Sequence, residues 1–313
     1  MGEWFSLKAI VVGYGSIGKR HVRVLNDLGV NVAVVSGQEL PTEITKFSDL
    51  KNAIKNWEPG YIIVANKTHE HYNSLRIISE EDFKGKVLVE KPLFDKVNDI
   101  PPNNFSDLKI AYNLRSHPLL KKIKTILDGN KKSAISVNVY VGSYLPGWRQ
   151  DMDYKNSYSA SKEMGGGVLR DLSHELDYIL WIFGPWKKLT ALSGHFSNLQ
   201  INSDDAVSIL METTRCPLVS IHLNYLDRRP RREILINTNE ETIKLDLIAN
   251  IMEIGGDKTE VSVDRDFTYK EEHLAMLNGD SEDICSAEEA CFTLTTIAAI
   301  EKASESKIWI QRT

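Results

Sequence analysis

The stretch AIVVGYGSIGKRH, Ala9–His21, decides how the chain folds. Its four leading apolar residues do not alternate with polar ones, which suits a strand buried on both faces. Gly13-x-Gly15-x-x-Gly18 follows, and a helical pattern then runs from about Ile17 to Leu28, with Ile17, His21, Val24, Leu25 and Leu28 on one face. A strand feeding a helix through glycines at this spacing is the context that makes a dinucleotide cradle. Gly13 permits the tight turn, Gly15 lets the backbone approach a pyrophosphate, and Gly18 lets helix and strand pack closely. The helix N-terminus adds free N–H groups and partial positive charge.

Outward from that point, short β-rich runs alternate with helical patterns, the signature of a parallel α/β sheet. Strands are expected at Asn31–Ser36, Tyr61–Asn66, Lys86–Pro92 and Leu108–Asn113, with a helix capped by Ser48 and another near Glu70–Glu80. The carboxylate that often ends the second strand and binds the adenine ribose is missing; the chain reads Ser36-Gly37-Gln38 there. Ser36 can hydrogen-bond either dinucleotide, and the missing negative charge slightly favours NADP over NAD. Glu90-Lys91-Pro92 closes a strand at the sheet edge where ligands of such folds bind. An ammonium at Lys91 can polarise a substrate oxygen and stabilise a developing alkoxide.

From about His117 the texture changes. A helix is expected at Pro118–Leu127, a long alternating strand at Ala134–Tyr144, then several runs at hairpin-like spacing and a helix at Ala287–Ser304. The reading is therefore two domains, residues 1–116 and residues 117–313. The first is a Rossmann-type parallel sheet that binds a dinucleotide. The second is an α/β domain with an open, mainly antiparallel sheet that binds substrate and mediates oligomerisation.

The second domain contains GGGVLRDLSHELDYILWIFG, Gly165–Gly184. Leu172, Leu176, Ile179, Leu180 and Phe183 form the buried stripe of a helix that Gly184-Pro185 stops. Asp171, His174, Tyr178 and Trp181 form a neighbouring stripe, so Asp171 and His174 are expected on one face. The glycines are expected to clear room for a ligand. A histidine near a helix N-terminus and beside a carboxylate can trade a proton near neutral pH.

Together GYGSIGKRH, ANKTHEHY, VEKP, YNLRSHP and GGGVLRDLSHELD resemble the Gfo/Idh/MocA family, the relatives of glucose–fructose oxidoreductase and inositol dehydrogenase. That resemblance implies an NAD(P)-dependent oxidoreductase that moves a hydride between nicotinamide and a hydroxyl or oxo carbon of a sugar or nucleotide sugar. It places Gly13, Gly15, Ser16 and Ile17 along the phosphates with Arg20 near them. It puts Asn66, Thr68 and His71 beside the nicotinamide, Glu90 at its ribose, and Lys91 and His174 in catalysis. In the family pattern the aspartate precedes the histidine by four residues; here Asp171 and His174 are three apart, which leaves the role of Asp171 open. A looser likeness, to enzymes of surface-sugar and nonulosonic acid pathways, suggests an acidic or nucleotide-linked sugar.

Ahead of the glycine run lie Trp148, Arg149 and Tyr158, and Arg115 lies in YNLRSHP. Aromatic faces stack on sugars, and guanidinium groups bind carboxylate or phosphate, so these four are candidate substrate contacts. DRRPRR, Asp227–Arg232, reads as a solvated hairpin able to reach an anion or a neighbouring subunit. His69-x-His71 lacks the further ligands a metal site needs, so no metal is expected. Two other readings remain: a non-redox lyase or glycosidase that keeps NAD bound, and a non-catalytic dinucleotide-binding regulator. The second has no need of Lys91 or His174.

The chain has 313 residues, 42% hydrophobic and 26% charged, with a formal net charge of −5. This argues against nucleic acid or a polybasic membrane anchor as partner. Three cysteines without metal or paired spacing suit a reducing cytoplasm. No apolar run approaches the roughly 18 residues a membrane span needs. The N-terminal residues do not read as a signal peptide, since Glu3 stands where positive charge belongs. Gly2 with Ser6 matches a loose N-myristoylation pattern, without a second anchoring signal. The expected partners are a small sugar substrate and further copies of the chain, as a homodimer or homotetramer through the C-terminal sheet.

Overall fold

The computed structural model describes residues 7–129, 133–149 and 152–312; Gly2 and Ser6 lie outside them. In chain order the elements begin β1 (Lys8–Val12), α1 (Ser16–Asp27), β2 (Asn31–Val35), β3 (Thr45–Phe47), α2 (Leu50–Trp57), β4 (Tyr61–Val64), α3 (His71–Glu80), β5 (Lys86–Val89) and β6 (Asp107–Ile110). They continue with α4 (Pro118–Gly129), β7 (Ser136–Gly142), α5 (Val168–Asp171), α6 (His174–Phe183), β8 (Trp186–Gly194), β9 (Ala206–Thr213), β10 (Leu218–Asn224) and β11 (Arg231–Asn237). The chain closes with β12 (Thr242–Asp246), β13 (Ile251–Ile254), β14 (Asp257–Glu260), α7 (Phe267–Asn278), β15 (Cys285–Ser286), α8 (Ala287–Ser306) and β16 (Ile310–Gln311). No described helix is long and apolar enough to cross a membrane.

Two compact units result. The first joins Met1–Ser116 to Asp264–Leu294, and the second joins His117–Val263 to Thr295–Thr313. The first cut falls at residue 116, but Asp264–Leu294, assigned from sequence to the second domain, packs with the first. Its residues Met276, Leu277, Cys285 and Leu294 complete the first unit's core.

The first unit holds a seven-stranded sheet in the order β15-β6-β5-β4-β1-β2-β3. All neighbours are parallel except β15 with β6. Both faces are covered, which explains the uninterrupted apolar runs. Ile10, Val12, Ile62 and Val64 pack on one side with residues of α2, α3 and the start of α8. Ala9, Val11, Ile63 and Leu88 pack on the other with residues of α1 and α7. Helix α2 is capped by Asp49, whose carboxylate accepts from the Asn52 N–H at 2.8 Å, rather than by Ser48. Aspartate and serine are comparable caps, and the helix begins one residue later than the serine would place it.

The second unit holds a nine-stranded sheet in the order β14-β13-β12-β11-β7-β10-β9-β8-β16, antiparallel throughout except for β7 with β10. Strand β7 buries Val137, Val139 and Val141 on one face, while Asn138 and Tyr140 point to the other. Leu172, Leu176, Ile179, Leu180 and Phe183 are all buried, as their spacing predicts. The helix is not continuous, however: α5 ends at Asp171, and Leu172 takes φ −98°, ψ 33° before α6 starts at His174. Asp171 and His174 therefore sit on two short helical pieces, not on one face of one helix. Burial of Glu175, Asp177 and Tyr178 wraps the start of α6 in protein on nearly every side.

Candidate functional site

In the first unit, β1 delivers the chain to Gly13, whose N–H donates to Val35 O at 2.9 Å and whose φ is +99°. A Cβ at Gly13 would lie 2.7 Å from Ala65 O and from the backbone of Asn66, and a Cβ at Gly18 would lie 2.2 Å from Gly13 O. Protein fills the space at both positions. At Gly15 nothing lies within 4 Å. Helix α1 starts at Ser16 with no side-chain cap and no acidic residue in its first turn. The leading N–H groups of such a helix, Ser16 and Ile17 included, have no intrahelical acceptor, and here no acidic side chain neutralises the positive helix end. This arrangement fits a dinucleotide pyrophosphate.

Ser36 follows the last residue of β2; its hydroxyl accepts from the Gln38 N–H at 3.1 Å. Arg20 does not point free toward a phosphate. Its Nε lies 3.4 Å from Asp266 Oδ1, and its guanidinium sits 4.9 Å over the Tyr269 ring. Both partners come from the returning segment, which the sequence reading left in the other domain.

Beyond β4, the Asn66 amide donates to Ser74 Oγ at 3.0 Å, and Thr68 opens a single 3-10 turn that leads into α3. His71 is 1% exposed, with Nδ1 at 3.1 Å from Leu93 O and Nε2 at 3.3 Å from Asn66 O. Burial pushes its pKa down. The ring ties the Asn66 loop to the segment after Lys91, a bracing role rather than an open ligand contact. The Lys91–Pro92 bond is cis. Glu90 Oε1 lies 2.9 Å from His21 Nε2, and Oε2 accepts the Lys91 N–H at 3.1 Å.

Arg115 is the candidate the structure sets apart. It lies in a 3-10 turn, Asn113–Ser116, is 3% exposed, and donates to Glu289 Oε2 at 2.9 Å. A guanidinium so buried and paired holds the returning segment, and is not displayed as an anion receptor.

In the second unit, Asp171 becomes the centre of a cluster. Tyr225, the residue after β10, donates its hydroxyl to Asp171 Oδ2 at 2.6 Å. The Tyr158 hydroxyl also hydrogen-bonds Asp171, and burial together with that carboxylate pushes both phenols far above their ordinary range. They stay protonated and donate. The Trp148 ring meets Tyr225 edge-on at 5.2 Å, and its indole N–H donates to Ser143 Oγ at 2.8 Å. Arg149 sits 5.9 Å over the Tyr158 ring. Trp148, Arg149, Tyr158 and Asp171, predicted separately, are thus brought together, with Tyr225 as the member the sequence reading missed. No motif marks Tyr225; it is visible only once β10 is placed.

The glycine run divides: Gly165, at φ +81°, has nothing within 4 Å of a Cβ, whereas Gly166 is spent on protein. A Cβ at Gly166 would lie 2.1 Å from Tyr158 O, and Gly167 takes φ +123° to turn into α5. Gly166 therefore lets the backbone bearing Tyr158 lie against the helix that carries Asp171. A carboxylate that accepts from two phenols is held in one orientation, so Asp171 is suited to a positioning role. His174, half-buried, leads α6, where the next residue, Glu175, is fully buried with Oε1 3.0 Å from Arg232 Nε. Within DRRPRR, Arg228 lies 3.4 Å over the Tyr144 ring and Arg231 pairs with Glu233 at 2.9 Å. That hairpin is internally engaged, not simply solvated.

Comparison with known proteins identifies the family and the fold. Residues 7–101 match the oxidoreductase family with an NAD-binding Rossmann fold, and residues 136–244 match the GFO/IDH/MocA C-terminal domain. A search of curated proteins returned no match. Among solved structures, levoglucosan dehydrogenase in complex with NADH superposes with a TM-score of 0.83 at 15% identity, over 97% of this chain and 98% of that one. GenD2 from gentamicin A biosynthesis, in complex with NAD, gives 0.81 at 18% identity over 98% and 96%. The WlbA dehydrogenase from Bordetella pertussis, in complex with NADH and UDP-GlcNAcA, gives 0.80 at 18% identity over 98% and 99%. At such identities the likeness is one of fold. With both of its halves matched to the family in sequence, the chain belongs to the Gfo/Idh/MocA oxidoreductases, whose Rossmann domain binds NAD.

Proposed function

We propose that this protein is an NAD(P)-dependent dehydrogenase or reductase of a sugar, or of an acidic or nucleotide-linked sugar derivative. The observation that carries the reading is the cradle at Gly13–Gly18, where only Gly15 faces open space and the first turn of α1 carries no acid. A nicotinamide dinucleotide bound there supplies the hydride donor or acceptor. Lys91, at the carboxyl edge of the parallel sheet, holds the substrate oxygen and stabilises its negative charge. His174 takes the hydroxyl proton in oxidation and returns it in reduction. Asp171, fixed by Tyr158 and Tyr225, orients rather than transfers. Trp148 and Tyr158 offer aromatic faces, and Arg149 a cation, to a polyhydroxylated anionic ligand.

The missing carboxylate at Ser36–Gln38 favours NADP, whereas the neighbouring structures hold NAD or NADH. The second unit's sheet leaves Leu192, Leu210, Leu218 and Leu235 exposed on its strands, which supports pairing with a second copy through that face. Three free thiols accord with a reducing cytoplasm.

The test starts from ligands carried by the purified protein, identified by mass spectrometry. A panel of nucleotide sugars and sugar acids follows, read by nicotinamide absorbance with both dinucleotides. With a substrate found, Lys91→Ala and His174→Ala should each lower kcat at least a hundredfold, in line with general acid–base contributions of about 10²–10⁴. Near-normal turnover in both would remove the assignment, and turnover with no net change in absorbance would make the protein a non-redox enzyme instead.

A further inference from the structure

Three buried side chains from distant parts of the first unit end on Glu90. His21, on the covered face of α1, has Nε2 at 2.9 Å from Glu90 Oε1 and Nδ1 at 2.9 Å from His273 Nε2. His273 comes from α7, and its Nδ1 lies 3.0 Å from the hydroxyl of Tyr61, the first residue of β4. His21 and His273 are 0% exposed and Tyr61 1%, whereas Glu90 retains 8%. Glu90 is thus the member with the most solvent access, and it stands at the sheet edge where this fold binds its ligand.

The donors follow from the ends of the chain. A carboxylate only accepts, so His21 Nε2 carries a hydrogen. Burial pushes the Tyr61 phenol well above its ordinary range, so it keeps its proton and can donate. Burial, with His21 beside it, pushes the His273 ring well below the usual histidine range, and as a neutral ring it has one N–H to give. One set of protons satisfies all four ring nitrogens without a cation. Tyr61 O–H donates to His273 Nδ1, His273 Nε2–H to His21 Nδ1, and His21 Nε2–H to Glu90 Oε1.

We propose that Tyr61, His273 and His21 are positioning residues acting through Glu90. Their directed hydrogen-bond chain fixes the carboxylate, whose second oxygen accepts the Lys91 N–H, and so sets the backbone that carries the Lys91 amine. Apolar groups of the same shape could fill this space without loss of stability, but they could not orient a carboxylate. The functional half of the proposal rests on the reading of Glu90 and Lys91 given above; the direction of the chain does not.

The experiment uses the full-length protein. Long-range 15N–1H correlation spectra of the free protein report which nitrogen of His21 and His273 is protonated, and NADH fluorescence titration reports affinity in wild type, His21→Gln, His21→Leu and Tyr61→Phe. Both rings should be Nε2–H tautomers, and Tyr61→Phe should release His273 from a single tautomer. His21→Gln keeps an N–H for Glu90 and should bind NADH within about threefold of wild type. His21→Leu should bind at least about tenfold more weakly, the loss of a hydrogen bond to a charged group, with unchanged far-ultraviolet circular dichroism. An Nδ1–H tautomer on either ring, or equal affinities for the Gln and Leu variants, overturns the proposal. If the tautomers are as assigned but wild type binds neither NADH nor NADPH, the functional reading fails and the chain stands.

Discussion

The glycines at 15 and 18 should respond differently to the same added methyl group. At Gly18, a Cβ 2.2 Å from Gly13 O is inside the 3.0 Å that real contacts respect, so α1 must retreat from the loop by roughly 0.8 Å. Overpacking of this kind costs typically about 1–3 kcal/mol. It also carries the leading N–H groups of α1 off the pyrophosphate, and misplacements near 1 Å can cost on the order of a hundredfold in a positioned site. At Gly15, with nothing within 4 Å and φ −72°, the methyl group meets no protein. Alanine is a poorer N-cap than glycine, so a loss of up to about 1 kcal/mol is expected there, but the methyl group occupies the space left for the ligand. Urea denaturation and NADH titration of Gly15→Ala and Gly18→Ala separate the effects. Gly18→Ala should lose both stability and affinity; Gly15→Ala should lose at least about tenfold in affinity while its stability falls by no more than the N-cap loss of about 1 kcal/mol. Wild-type affinity in Gly15→Ala would refute the claim that its open side is where a dinucleotide lies.

Tyr225→Phe removes a 2.6 Å donor from a buried carboxylate, and with Tyr158 still present the cost should fall near about 1.5 kcal/mol in urea denaturation; unchanged stability would show the contact to be dispensable. Burial lowers the pKa of His71, His117 and His273 below 6.5. The unfolded chain therefore binds protons that the folded one refuses, so stability present above pH 6.5 is lost as pH falls, by up to ~1.4 kcal/mol per pH unit for each such histidine. Melting temperatures between pH 7.5 and 5.5 check the sign, and a rise on acidification would contradict it. Leu210→Glu, on the exposed face of β9, should lower the mass seen by sedimentation if that face joins two copies; an unchanged mass would place the interface elsewhere.

What the sequence made legible was local. Ala9–Gly18 declares strand, turn and helix because each glycine has a nearby reason, and the apolar spacing of Leu172–Phe183 declares a buried face. What it hid depends on separation. His21 meets His273 across 252 positions and Arg115 meets Glu289 across 174, and neither distance leaves a trace in local pattern. Tyr225 reaches Asp171 only because of how β10 ends. The break at Leu172 interrupts an apolar period that itself continues undisturbed, so periodicity alone reads one helix where there are two.

The return of Asp264–Leu294 to the first unit has a consequence for biosynthesis. A ribosome at typical speeds of about 5–20 residues per second takes on the order of ten to thirty seconds to pass from residue 116 to residue 294. Throughout that interval β6 lacks β15 beside it, and the layer that α7 and the head of α8 will cover faces water. A nascent sheet with an open rim invites pairing with other chains. The half-made first unit is therefore a natural client for chaperones that hold emerging polypeptides, since part of its core, as far as Leu294, is synthesised last.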